Sequence, residues 1–310
     1  MIELLVVLAR LVQYAGTAML FGAPLFYLYG LPADGAGAAR TNPGTAVGLV
    51  VIAGLLTAIG CGLALLAQTA MMTGALADAL DPQALVMVAT GTQFGASVLT
   101  RAAASLAALA VATVLPPSTH LWRASAALGA VALASFAWSG HGADGDGATG
   151  LFKLAADILH LLAAGVWLGA LAALLLLVLS ARRAEAAAVR ALHGALEGFS
   201  GVGSLVVAAL VLTGLINSWF LVGPHHILAA ASTAWGAVLL AKLCVFALML
   251  SLAALNRFVL TPRLQRALAS LDPATALAAL RRSLLVESAA GLSVLILVSW
   301  LGTLAPPASL

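Results

Sequence analysis

The chain has 310 residues, 63% of them hydrophobic and 8% charged, with a formal net charge of +3. That balance excludes an ordinary water-soluble domain. The small positive charge, with no basic stripe interleaved by aromatics, excludes a nucleic-acid surface.

The sequence predicts an all-α polytopic membrane protein, because each apolar run reaches the roughly 20 residues a helix needs to cross a bilayer. Eight runs qualify: 2–29, 46–74, 88–115, 121–139, 152–180, 199–222, 232–256 and 284–304. The first is read as a retained helix, since Met1-Ile2-Glu3 lacks the basic start of a signal peptide and no cleavage site follows. Cys61 and Cys244 both fall inside runs, where they read as small buried hydrophobes rather than as a disulfide or a CxxC site. The chain is expected to be a single transmembrane domain, 1–310, in two halves of four spans, 1–140 and 141–310.

Orientation follows from the basic residues. Connections after spans one, three, five and seven, with their helix ends, carry Arg40, Arg123, Arg182, Arg183, Arg190, Arg257, Arg263, Arg266, Arg281 and Arg282. The opposite connections hold Lys153 with Asp78, Asp81, Asp144, Asp146, His141, His225 and His226. Basic loops stay cytoplasmic, so both termini are expected outside.

The two halves echo each other. Thr92-Gln93-Phe94-Gly95 followed by Arg101 matches Thr233-Ala234-Trp235-Gly236 followed by Lys242. More weakly, Phe21-Gly22-Ala23 matches Leu168-Gly169-Ala170, which aligns Gln13 with His160 and Arg10 with Asp157. Four spans per half make this a parallel repeat, and the interface between halves is the expected place for a site.

Ionisable groups inside spans are the sharpest functional pointers, because an isolated charge there is costly. Arg10, Arg101, Asp157, His160 and Lys242 qualify, all in the expected external half of the bilayer. One reading pairs Asp157 with Lys242 or Arg101 to hold helices together. The other makes Asp157 and His160 a metal pair: they are three residues apart on one helix face, with Trp167 two turns deeper. His141, in the glycine-rich Ser139-Gly140-His141-Gly142 segment, adds a third donor. Imidazole and carboxylate suit a divalent first-row metal, copper strongly among them, while Met71 and Met72 at the end of span two supply thioethers for Cu(I). Methionine is also an ordinary gap-filler, and His225-His226 reads equally as a solvated turn. Gly44 to Gly48, Gly91 to Gly95 and Gly165 to Gly169 are small-xxx-small packing patterns rather than nucleotide loops. Asp144-Gly145-Asp146-Gly147 lacks the glutamate of a calcium loop, with Ala155 in its place. No HExxH motif, nucleophile elbow or serine triad is visible, so the expected protein is not an enzyme.

From Ser139 onward the sequence resembles the bacterial copper resistance D (CopD) family. The resemblance is carried by Ser139-Gly140-His141, the helix Asp157 to Gly169 with His160 and Trp167, Phe199-Ser200, Thr213-Gly214, Thr233 to Gly236 with Lys242, Asn256-Arg257, Leu280-Arg281-Arg282-Ser283 and Glu287. In the N-terminal half it rests on the spans, on Gln68 to Met72, and on Gly95 with Arg101. It implies a copper-resistance and copper-homeostasis protein of the bacterial inner membrane, commonly served by a periplasmic CopC-type copper-binding protein. His141, Asp157 and His160 match the family's SGH and DxxHxxxxxxWxG patterns, which strengthens their reading as metal ligands. The expected mechanism delivers copper to the external face, captures it on these three residues and passes it inward between the halves. Met71 and Met72 would take Cu(I), and Arg101 and Lys242 would act as counter-ions for Asp157. The alternatives are a haem-binding electron carrier and a non-transporting receptor for a periplasmic copper protein.

Overall fold

A computed structural model describes residues 2–30, 43–139, 147–181, 186–223, 232–269 and 273–307. Among the described residues every element is helical, and eight helices are long and apolar enough to cross a membrane. The elements are α1 Ile2–Tyr29, α2 Pro43–Thr73, α3 Pro82–Gly91, α4 Gln93–Val114, α5 Thr119–Ala134, α6 Gly147–Ser180, α7 Ala186–Val222, α8 Ala234–Leu255, α9 Thr261–Ala269 and α10 Ala274–Leu301. The short α3 and α9 are not spans. Helices satisfy their own backbone groups, which is why an apolar medium selects them.

The third span is shorter than its hydropathy predicts, starting at Gln93 rather than near 88. The break is local chemistry. Thr92 Oγ1 accepts from Gly95 N at 2.9 Å, capping α4, and donates to Val88 O at 2.7 Å, closing α3. Gly95 has no room for a side chain, since a Cβ there would strike Val88 O and Ala89 O. Thr233 repeats the device at the start of α8, accepting from Gly236 N at 3.0 Å. Other helices overrun their apolar runs: α7 begins at Ala186 and α10 at Ala274, both at the arginine-bearing end. The apolar run marks only the lipid-facing part of such a helix. At the end of α8 the chain widens into a π turn, Asn256–Leu260. Pro262 follows, a residue that has no N–H to give and crowds the carbonyl four residues back.

α1 lies at the centre, packing on α2, α5, α6 and α10. Its contact with α6 is backbone against backbone at Gly22, Gly165 and Gly169, where a Cβ on Gly22 would overlap Gly165 O and one on Gly169 would overlap Gly22. Gly129 of α5 presses on α1 in the same way, its would-be Cβ 2.5 Å from Phe21 N. Small residues let helices approach closely where lipid supplies no hydrophobic drive to bring them together. α6 continues the core through Trp167, Leu171, Leu174 and Val178. Cys61 is buried as expected, but Cys244 is exposed on the outer face of α8, so its thiol contributes to the surface and not to the core.

Gly22→Val and Gly169→Val should each force α1 and α6 apart. Overpacking of this kind costs about 1–3 kcal/mol, and backbone contact puts these sites at the upper end. Thermal unfolding in detergent should show a clear loss for both. Gly62→Ala, at an exposed position with open space around it, should be neutral or slightly stabilising.

Candidate functional site

Two adjacent helices fix the candidate ligands. Asp157 and His160 project from α6 one turn apart, and Thr213 and Asn217 answer them from one face of α7. His160 Nδ1 lies 2.9 Å from Thr213 Oγ1, and Asn217 Nδ2 donates to Asp157 Oδ1 at 3.3 Å. Thr213 spends its own hydroxyl proton on Ala209 O at 2.6 Å. Its oxygen is therefore left as an acceptor, and the network assigns the imidazole proton to Nδ1. Nε2 keeps its lone pair. This is the arrangement by which an outer partner orients a metal-binding histidine. Gly214 supplies the flat surface beside the ring, its missing Cβ 3.7 Å from His160 Cε1.

His160 stands in the wall shared by two cavities. The larger, about 600 Å³, lies between the halves and is lined by Asp157, His160 and Lys242 together with Arg10, Tyr14 and Ser139. The second, about 330 Å³, runs from His160 and Lys242 past Trp167 and Phe246 to Met249. It is mostly apolar. Its side is formed by α7 and α8, which scarcely touch each other among the described residues, whereas α2 and α4, their counterparts in the first half, pack together.

Arg101 does not serve as a counter-ion to Asp157. It is 1% exposed and enclosed in the N-terminal half, donating to Gln13 Oε1, to Ser97 Oγ at 3.2 Å and to Ser139 Oγ at 3.3 Å. Its guanidinium carbon lies 3.4 Å from the centre of the Phe136 ring. Lys242 does share a cavity with Asp157, but among the described residues no ion pair within 4.0 Å joins Asp157 to either base. Met71 and Met72, 53% and 56% exposed, end α2 on its surface and line none of these cavities. His141, His225 and His226 lie outside the described residues, and among those described no group of three or more His, Cys, Asp or Glu side chains gathers around one point.

Trp167 has a different partner, its Nε1 donating to Glu287 Oε1 at 3.0 Å while its ring lines the second cavity. Asn256 Nδ2 donates to the other carboxylate oxygen at 2.7 Å. Sequence reasoning passed over Glu287 as a site residue because the eighth apolar run begins near 284, which puts a glutamate at a helix end beside arginines. The actual start of α10 at Ala274 puts it mid-helix. Met249 was also missed, since a methionine in an apolar run carries no signal until the cavity is known.

The two halves of the chain match two family models. Residues 1–151 match "Copper resistance protein D-like, N-terminal domain", and residues 193–301 match "Copper resistance protein D". The chain is 38% identical over 304 residues to copper resistance protein D of Pseudomonas syringae pv. tomato, covering 96% of this chain and 95% of the relative. It is 29% identical over 216 residues to the inner membrane protein YebZ of Escherichia coli strain K12, covering 69% of this chain and 70% of that one. No solved structure matches. Identity that runs through both halves and nearly end to end places this multi-pass helical protein in the copper resistance protein D family.

Proposed function

We propose that the protein accepts copper at the periplasmic face of a bacterial inner membrane and carries it across. The observation that supports this best is His160, fixed through Nδ1 by Thr213 and with Nε2 free to ligate, in the wall common to both cavities. Asp157, one turn nearer the Gly147 end, adds a carboxylate to the same cavity. Arg123, Arg190, Arg257, Arg263, Arg266, Arg281 and Arg282 collect at the opposite end of the bundle, which is the cytoplasmic end by the positive-inside rule. The cavity holding Asp157 and His160 is then periplasmic.

His141, two residues beyond the cavity-lining Ser139 in sequence, is the proposed third ligand. A soft donor lies further in: Met249 of α8, at the inner end of the second cavity, suits Cu(I) better by position than the surface pair Met71 and Met72. Copper is the cargo here and no chemical conversion is assigned. A periplasmic CopC-type protein is the proposed donor. The haem reading has less support, since His160 is the one histidine that the described residues bring to the cavities.

Copper entry into proteoliposomes, with bound metal measured in the same samples, tests this reading. Wild type should bind copper and take it up, and His160→Ala should lose both while remaining folded. Uptake that persists in a folded His160→Ala protein would overturn the proposal, and binding without flux would select a receptor instead. Thr213→Val removes the oxygen that fixes the ring while leaving its ligating nitrogen. Copper affinity should fall about 10-fold or more, the usual effect of losing a metal ligand's outer partner. An unchanged affinity would show that Thr213 does not orient His160.

A further inference from the structure

Below the second cavity lies a polar cluster that copper binding at His160 does not use. Glu287 is 2% exposed at the middle of α10, and its two oxygens accept from the neutral donors Trp167 Nε1 and Asn256 Nδ2. Charged side chains on the surrounding elements point elsewhere or stand well along their helices. Arg257, in the π turn beside Asn256, donates to Ser200 O at 2.9 Å and to Ser204 Oγ. Arg281 and Arg282 lie more than a turn away along α10 toward Ala274, and Arg263 and Arg266 are exposed on α9. On α6 the nearest titratable groups are His160 and Asp157, about 10 Å and about 15 Å along the helix from Trp167 at 1.5 Å per residue. On α8 Lys242 stands about 20 Å along the helix from Asn256 by the same rise. No ion pair reaches Glu287 among the described residues.

The cluster also has an unspent acceptor. Asn256 Oδ1 is buried without a hydrogen-bond partner among the described residues, as is Ser283 Oγ one turn before Glu287. An asparagine amide is two-faced: one rotation offers N–H to a carboxylate, the opposite one offers C=O to a carboxylic acid. The 2.7 Å contact between Asn256 and Glu287 Oε2 accommodates either. Trp167 Nε1 can donate to Oε1 in both states, because that oxygen is the carbonyl of the acid.

We propose that Glu287, Asn256 and Trp167 form a proton-exchange site, with Glu287 taking up and releasing a proton as the Asn256 amide turns over. On uptake, an O–H bond forms at Oε2 as a hydronium ion gives up its proton and becomes water. Release is the reverse. Trp167 ties the site to transport, since the same indole that holds Oε1 lines the cavity leading from His160. The ligand is a proton, moving in exchange for the metal cation. This coupling rests on the copper reading above, whereas the proton site itself does not.

Infrared difference spectra of copper-free protein in lipid bilayers, recorded across steps of pH, test the site directly. Wild type should show a carboxyl C=O band that comes and goes with pH. That band should vanish in Glu287→Gln and shift in Trp167→Phe, where the carbonyl loses one donor. Identical pH difference spectra for wild type and Glu287→Gln would overturn the proposal. If Glu287→Gln does not fold, an unshifted band in Trp167→Phe does the same. For coupling, copper loading of proteoliposomes containing a pH-sensitive dye should move protons with wild type. Glu287→Gln should still bind copper but show proton movement no greater than protein-free liposomes. Copper flux by wild type without any proton movement would overturn the coupling and leave the copper reading standing.

Discussion

The contact on which the rest of the structure depends is the crossing of α1 and α6 at Gly22 and Gly169. Each glycine occupies the space that a side chain on the other would need, so the two backbones meet as closely as helices can. The same two positions align in the weaker sequence echo between the halves. Nine residues before Gly22 stands Gln13, and nine before Gly169 stands His160. The crossing therefore sets both polar positions at the same distance from its centre, one in each half, and the helices packed around it decide what becomes of them.

The two halves differ in what surrounds those aligned positions. In the first, α2 and α4 close against each other, and Arg101 fills the space beside Gln13, bonded to Gln13, Ser97 and Ser139 and covered by Phe136. Such a guanidinium is a strut: its two terminal nitrogens are spent on neutral acceptors, and the cavity left beside it is small, about 70 Å³ against about 600 Å³ between the halves. In the second half, the equivalents of those helices part, and Lys242 and His160 face open volume. One half gives rigidity, and the other gives the cavity. A site at the interface of two repeats needs both, because a cavity in a bundle of apolar helices persists only if its other walls cannot collapse into it.

The fold was largely legible in the sequence, and for physical reasons. Eight long apolar runs admit only helices in lipid, and the echo of Thr92 and Gly95 in Thr233 and Gly236 corresponds to two helix caps of the same kind, a use that the echo itself did not announce. The pair Asp157 and His160 was also legible, since spacing alone puts them on one face. What was not legible depends on contacts between distant segments. Nothing in the run around Arg101 says that Gln13, 88 residues away, will accept its hydrogen bond. Asn217 and Thr213 look like ordinary polar residues in a span until α7 is set beside α6. Met71 and Met72 stood out because they are adjacent and soft, but exposure at the end of α2 separates them from the cavities, whereas Met249 lines one.

The polar groups on α6 form a descending series, Asp157, His160 and Trp167, and each has a partner on another helix: Asn217, Thr213 and Glu287. These bonds do two things at once. They satisfy groups that lipid would leave without partners, and they leave specific atoms unspent, Nε2 of His160 above and Oδ1 of Asn256 below. If the protein carries copper as proposed, atoms held in reserve have a use, because a cation that gives up its hydration shell needs a replacement at each stage. The Trp167 indole lines the second cavity and also donates to Glu287, so this side chain stands between that cavity and the buried carboxylate. On the reading proposed above, charge exchanged between His160 and Glu287 meets this indole on its way.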